Sequence, residues 1–110
     1  AHVNLGGAYR PTTRESDDDL ARRGLYWCDS AEACLTRSGD IVMPLESGAL
    51  DRARVLGEIG AALDGTLRGR EGAAEVTVFK SLGNAAQDVC LAEDVLRLPG
   101  LVAAEFDPRA

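Results

Sequence analysis

Histidine is nearly absent from this chain, cysteine is scarce, and a glycine-rich phosphate loop is missing altogether. The one histidine, His2, stands at the amino end of a strand candidate over 2–5, so no Ser–His–acid arrangement can be assembled, and a structural or exposed role is expected in place of a general base. The three cysteines, Cys28, Cys34 and Cys90, are odd in number and show no C-x-x-C pairing. That argues against a secreted disulfide framework and against a structural zinc site. Buried reduced thiols, a cytoplasmic setting and no metal are expected. No G-x-G-x-x-G follows a strand: Gly57 and Gly60 lie in a helical pattern, and Gly69 and Gly72 in a turn. The cradle for dinucleotide phosphates is therefore not among these residues.

Long apolar runs and excess basic charge are lacking too. No run approaches the ~18 apolar residues that a membrane helix needs. A formal net charge of −6 argues against a reader of nucleic-acid backbone and against an anionic membrane surface. With 45% hydrophobic and 27% charged residues, the 110-residue chain has the composition of one small soluble domain with a modest core.

What is present is organised around Glu75-Val-Thr-Val-Phe-Lys-Ser-Leu-Gly-Asn84. Val76, Val78 and Phe79 make a β-branched and aromatic run, after which Ala85, Val89, Ala92 and Leu96 recur at helical spacing. Gly83 and Asn84 stand on the seam, where a tight turn and a helix N-cap are wanted. Backbone N–H groups and the positive end of a helix dipole at such a junction make it the leading candidate for an anionic or dinucleotide ligand.

Upstream, the strand over 2–5 ends at Gly6-Gly7, and Pro11 keeps the following loop out of a helix. Residues 16–23 read as a helix capped by Ser16, with Asp17 to Asp19 complementing its dipole and Gly24 stopping it. Residues 25–29 form the second strand, with Asp29 at its carboxyl end. Asp29 and Glu32 have capping-box spacing for a helix over 30–37 that Gly39 closes. Residues 41–45 are ambiguous, because Pro44 disfavours a central strand. Residues 51–64 read as a helix with Val55, Leu56, Ile59 and Leu63 on one face, weakened by Gly57 and Gly60.

Strands alternating with helices predict an α/β fold: a three-layer half of a Rossmann-like parallel sheet, about three strands with flanking helices. Residues 1–98 are expected to be the C-terminal part of a nucleotide-binding domain, with 99–110 a tail of no assigned structure. The carboxyl edge of that sheet gathers Gly6 to Tyr9, Asp29, and Lys80 to Asn84. Arg10 and Arg14 could hold a carboxylate or phosphate, but solvated loop charges explain them equally well. Lys80 reads either as an ion-pair partner for a ligand or as a strand-end lysine reaching solvent. Asp88 reads as a helix-dipole partner, and Tyr26 and Trp27 as core.

Two segments, His2-Val-Asn-Leu-Gly-Gly-Ala-Tyr-Arg-Pro-Thr-Thr-Arg-Glu15 and Val76-Thr-Val-Phe-Lys-Ser-Leu-Gly-Asn-Ala-Ala-Gln-Asp88, resemble the ornithine cyclodeaminase/μ-crystallin family. Ser38-Gly-Asp-Ile through Gly48 and Leu67-Arg-Gly-Arg70 sit where the family has similar text, so the likeness runs to about residue 98. The resemblance implies a homodimer with a Rossmann domain and a separate substrate and dimerisation domain. Its members use NAD or NADP to cyclise ornithine to proline with loss of ammonia, to oxidise alanine, or to reduce cyclic imino acids. This chain would be the C-terminal third of such an enzyme, its last helix returning towards the dimerisation domain. By itself it would be an inactive fragment or a binding module.

Carried over by motif, Leu5, Gly6, Gly7 and Ala8 would line the nicotinamide side of the cofactor pocket, and Thr13 would lie near the cofactor. Ser81 would contact the nicotinamide, and Leu82 the substrate, an amino or imino acid. Tyr9 stands at the substrate where cyclodeaminases carry a catalytic Asp. Ketimine reductases of the family have a small non-acidic residue there followed by Arg-Pro, much as Tyr9-Arg10-Pro11 runs here. Without that carboxylate no catalytic base is identified. The resemblance then implies an imine reductase or amino-acid dehydrogenase ahead of a cyclodeaminase.

Overall fold

The computed structural model describes residues 1–100. Four parallel strands, β1 (His2–Leu5), β2 (Gly24–Cys28), β3 (Val55–Glu58) and β4 (Val76–Lys80), form one sheet in the order β1-β4-β2-β3. The helices are α1 (Asp18–Arg23), α2 (Ala31–Arg37), α3 (Gly39–Ser47), α4 (Ile59–Leu63) and α5 (Ala85–Leu96). This is the expected α/β half-sheet with one strand more than predicted.

The strand order explains the layers. β1 to β2 and β2 to β3 both advance in one direction across the sheet, so right-handed crossovers place α1, α2 and α3 on one face. The step from β3 to β4 runs backwards and must cross on the other face. Residue parity agrees. Tyr26 is paired with Val78, and both are buried with Ala21, Cys34 and Ile41 from the three helices. Trp27, pointing the opposite way, donates its indole N–H to the Arg68 carbonyl of the return connection at 3.1 Å. Leu5, Cys28, Leu50 and Val55 complete the core. Each such apolar side chain contributes about 1.5–3 kcal/mol on burial.

Several boundaries differ from the sequence reading, each for a physical reason. The helix expected over 51–64 is a short 3-10 turn (Arg52–Arg54), then β3, then α4. Val55 and Glu58 pair with Tyr26 and Cys28, and Gly57 between them has φ of +150°, a value outside the helical region. Pairing with a neighbouring strand outweighed a helical spacing of apolar residues. The ambiguous segment around Pro44 lies inside α3, with Pro44 buried. α1 is capped by Asp17, whose carboxylate accepts from the Leu20 N–H at 3.0 Å; the Ser16 hydroxyl instead donates to Asp40. Ser30, not Asp29, caps α2, and Ser38 ends it so that Gly39 opens α3. Cys28 and Cys34 are buried as expected, but Cys90 is exposed, because nothing among the described residues covers α5. The expected tail falls, from residue 101 onwards, outside the described residues. Among the described residues no helix is long and apolar enough to cross a membrane.

Candidate functional site

Two lips meet at the carboxyl edge of β1 and β4. The first is the loop that leaves β1 through Gly6, Gly7, Ala8 and Tyr9. The second is the turn Ser81-Leu82-Gly83 between β4 and α5. They are joined directly, since the Ser81 N–H donates to the Leu5 carbonyl at 3.0 Å.

The first lip is held by Lys80. Alternation along β4 puts Val76, Val78 and Lys80 on the core face, so the lysine is buried rather than solvated. That corrects its reading as a strand-end lysine reaching solvent. Its ammonium donates to the Gly7 carbonyl at 3.0 Å and to the Glu15 carboxylate at 3.1 Å. The same Glu15 oxygen accepts from the Gly7 N–H at 2.9 Å, so Gly7 is gripped through both its N–H and its carbonyl. Asp40, fully buried at the start of α3, brings Oδ2 within 3.1 Å of the ammonium as an ion pair rather than an aligned hydrogen bond. Its Oδ1 accepts from the N–H groups of Glu15 and Ser16 and from the Ser16 hydroxyl at 2.8–3.0 Å. Burial, with the Asp40 carboxylate nearby, pushes the Tyr26 phenol up to about 12.

Gly39 completes the clamp by close approach. A Cβ there would stand 2.7 Å from the Thr13 carbonyl carbon and 2.9 Å from the Arg10 oxygen, which instead accepts the Gly39 N–H at 3.0 Å. Within the gripped loop Ala8 adopts φ of +24°, a region that side-chain-bearing residues rarely occupy and that is held only under constraint.

The second lip is held by Asp29. Its Oδ2 accepts from the Ser81 hydroxyl at 2.8 Å and from the Leu82 and Gly83 N–H groups at 2.9 and 2.8 Å. Oδ1 accepts from the Ser30 N–H at 2.8 Å and from the Cys34 thiol at 3.6 Å. Partial burial by itself would raise the carboxyl. The Ser81 hydroxyl and the backbone N–H groups of Gly83, Ser30 and Leu82 outweigh it and hold the group below its ordinary value. A hydrogen bond with Cys28, then burial, pushes the Cys34 thiol up, so Cys34 stays protonated beside Asp29. Gly83 takes φ of +75° to make the turn, and Asn84 caps α5 through the Gln87 N–H at 3.1 Å.

This changes what the junction can bind. Of the N–H groups that made it attractive for an anion, those of Leu82 and Gly83 are taken by Asp29 and that of Gln87 by Asn84. What remains is an uncharged surface: the Ser81 oxygen, whose proton is committed to Asp29, and the exposed Gly6, where a Cβ would meet nothing within 4 Å. Such a surface fits the flat face of a planar ring.

The other expected site residues are placed as follows. Gly6, Gly7, Ala8 and Ser81 are brought together at the lips. Leu5 turns its side chain into the core and presents only its carbonyl, and Leu82 is half-buried against the same core. Tyr9 is 59% exposed, with the Arg10 guanidinium over its ring at 5.4 Å. Thr13 lies further along the loop, bonded to the Arg10 carbonyl. Arg14 pairs with Asp18 at 2.7 Å. His2 bonds Thr77 and Asn4 at the opposite end of β1, the structural role expected of it. Sequence reasoning missed the grip of Lys80, Glu15 and Asp40, although the alternation that buries Lys80 was legible. It also missed that the Asp29 carboxylate faces the turn after β4. Among the described residues no cluster of His, Cys, Asp or Glu could hold a metal.

Comparison with known proteins places this geometry. The model of the ornithine cyclodeaminase/mu-crystallin family matches residues 1–97. A Δ1-pyrroline-2-carboxylate reductase from Paracoccus denitrificans is 36% identical over 97 residues, 88% of this chain and 31% of that protein. The ketimine reductase mu-crystallin of Mus musculus is 39% identical over 93 residues, 84% of this chain and 27% of that protein. Among solved structures, Thermococcus litoralis Δ1-pyrroline-2-carboxylate reductase in complex with NADH and L-proline superposes with a TM-score of 0.76 at 35% identity, covering 84% of this chain and 28% of that one. The chain thus spans less than a third of each relative.

Proposed function

Because this chain belongs to the ornithine cyclodeaminase/mu-crystallin family, we propose that its carboxyl edge is the nicotinamide-facing half of an NAD or NADP site in an imine reductase or amino-acid dehydrogenase. The observation that carries this reading is the pairing of two internally locked lips around an uncharged surface. Bound there, the nicotinamide supplies or accepts the hydride. Gly6 permits close approach of a ring to the backbone, and the Ser81 oxygen is fixed as an acceptor for its amide. The rigidity of both lips lowers the entropy lost on orienting the ring against an imine carbon. Phosphate binding falls to residues outside this chain, in keeping with the missing glycine-rich loop.

Tyr9 favours the reductase over ornithine cyclodeaminase. It places a phenol at the position where a carboxylate would be needed to activate water or close a ring, and the nearby Glu15 carboxylate is committed to Gly7 and Lys80. A phenol exposed beside a guanidinium is suited to orienting an imino acid or donating a proton to its nitrogen. Residues 1–98 then act as the C-terminal part of the cofactor domain. On α5 the exposed Val89, Leu91, Val95 and Leu96 suit docking against a further domain or a second subunit, as a homodimer requires. The buried free thiols of Cys28 and Cys34 support a cytoplasmic setting.

The test is an assay of the polypeptide extended upstream in its reading frame, with NADH or NADPH and Δ1-pyrroline-2-carboxylate. Cofactor oxidation dependent on the imino acid is expected. Conversion of ornithine to proline would move the assignment to the cyclodeaminase. Absence of both turnover and cofactor binding would reduce the chain to a non-catalytic module.

A further inference from the structure

A surface hollow with a volume of about 610 Å³ lies away from both lips, at the amino edge of the sheet. Arg22 and Arg23 at the end of α1, Arg54 just before β3 and Arg68 from the return connection converge on it. Leu25, Ala74 and Val76 form an apolar part of its wall, and Glu75 is the one acid lining it. In a chain of net charge −6, four of the twelve cationic side chains gather around one hollow.

Two of these guanidiniums are fixed in place. Arg54 donates Nε to the Gly24 carbonyl at 2.9 Å and Nη2 to the Arg23 carbonyl at 2.6 Å. Arg68 is braced by Glu75 at 3.1 Å and by Glu71 at 3.3 Å. Arg22 pairs with Asp19 at 2.9 Å across an exposed surface, a contact worth little. Arg23 and Arg54 have no carboxylate partner among the described residues. A hydrogen-bonded but uncompensated guanidinium such as Arg54 is a preorganised half of a site for an oxyanion, with Arg23 free to swing onto it.

We infer that this amino-edge pocket is a second binding site, for a small molecule bearing a diphosphate or comparable cluster of phosphate charge. Guanidinium forks match phosphate oxygens in geometry. The cavity is of the size that takes a small ligand rather than a polymer, and the strongly acidic remainder of the surface disfavours nucleic acid. The apolar wall gives an organic portion of the ligand somewhere to rest. The site stands on the opposite edge from the nicotinamide surface and does not depend on it.

The 110-residue chain carries its own reporter, because its single tryptophan, Trp27, is bonded to the Arg68 carbonyl. Titration with pyrophosphate, read by Trp27 fluorescence and by the amide resonances of Gly24, Leu25 and Val76, is expected to saturate below about 10 mM. Arg23→Gln is expected to weaken binding about tenfold. Arg97→Gln, the same charge change just past the end of α5, is expected to leave it unchanged. Citrate is expected to bind more weakly than pyrophosphate. The proposal is overturned if the amide shifts fail to saturate, or if Arg97→Gln weakens binding as much as Arg23→Gln does. Citrate binding as tightly as pyrophosphate would overturn the assignment to phosphate.

Discussion

At the carboxyl edge of the sheet the protein uses its own charges on itself, whereas at the amino edge it leaves them facing outward. Lys80 and Asp40 are fully buried and tied to Glu15 and the Gly7 peptide, and Asp29 is wrapped by the turn that follows β4. Arg23 and Arg54, at the other end of the same strands, bond to carbonyls and keep no carboxylate partner among the described residues. A surface meant to orient a planar ring benefits from rigid, internally satisfied polar groups. A surface meant to capture an anion benefits from positive charge left uncompensated. Helix N-termini and glycine turns alone do not distinguish the two cases; the fate of their N–H groups does.

The sharpest way to break this contrast is Lys80→Met. It leaves Asp40 buried without its cation, which is expected to cost about 3–5 kcal/mol, measured as a fall in the urea midpoint at constant slope. A loss below about 1 kcal/mol would show that the clamp is not what orders the first lip.

Asp29→Asn is expected to have a smaller effect, about 1–3 kcal/mol, because an amide nitrogen would confront N–H groups that now donate to a carboxylate. The acid limb of stability should change with it. The folded-state pKa of Asp29 lies below its ordinary value, so its contribution is complete above the unfolded pKa of about 3.9 and fades as pH falls through the folded one. Urea midpoints followed below about pH 4 should therefore fall less steeply in Asp29→Asn than in the parent.

At the outward-facing edge, Arg22→Gln should change stability by no more than about 0.5 kcal/mol, since it removes only surface pairs with Asp19 and, more distantly, Asp18. A large loss there would mean that the amino-edge charges are structural after all, and the contrast would fail.

Much of this was legible where the signal is local. β1, β4, α5, the Asn84 cap and the Gly83 turn all follow from neighbouring residues, and the positions of Gly6 to Ala8 and Ser81 at one edge follow from parallel topology. β3 was not legible, because Val55, Leu56, Ile59 and Leu63 repeat at helical spacing and only the partner strand decides otherwise. The destination of the Asp29 carboxylate was hidden for a related reason. Its spacing to Glu32 suggested a cap for the next helix, while its partners Ser81, Leu82 and Gly83 are more than fifty residues away. Lys80 lay between these cases: alternation along β4 pointed inward, and the residue type pointed outward.

The central claim is that both lips face one nicotinamide ring, and amide hydrogen exchange measured on the upstream-extended polypeptide with and without NADH tests it most directly. Slower exchange is predicted at Gly6 to Tyr9 and at Ser81 to Asn84 together, with Arg22 to Leu25 unchanged. Binding of NADH that leaves both lips unprotected, or that protects only the amino edge, would contradict it.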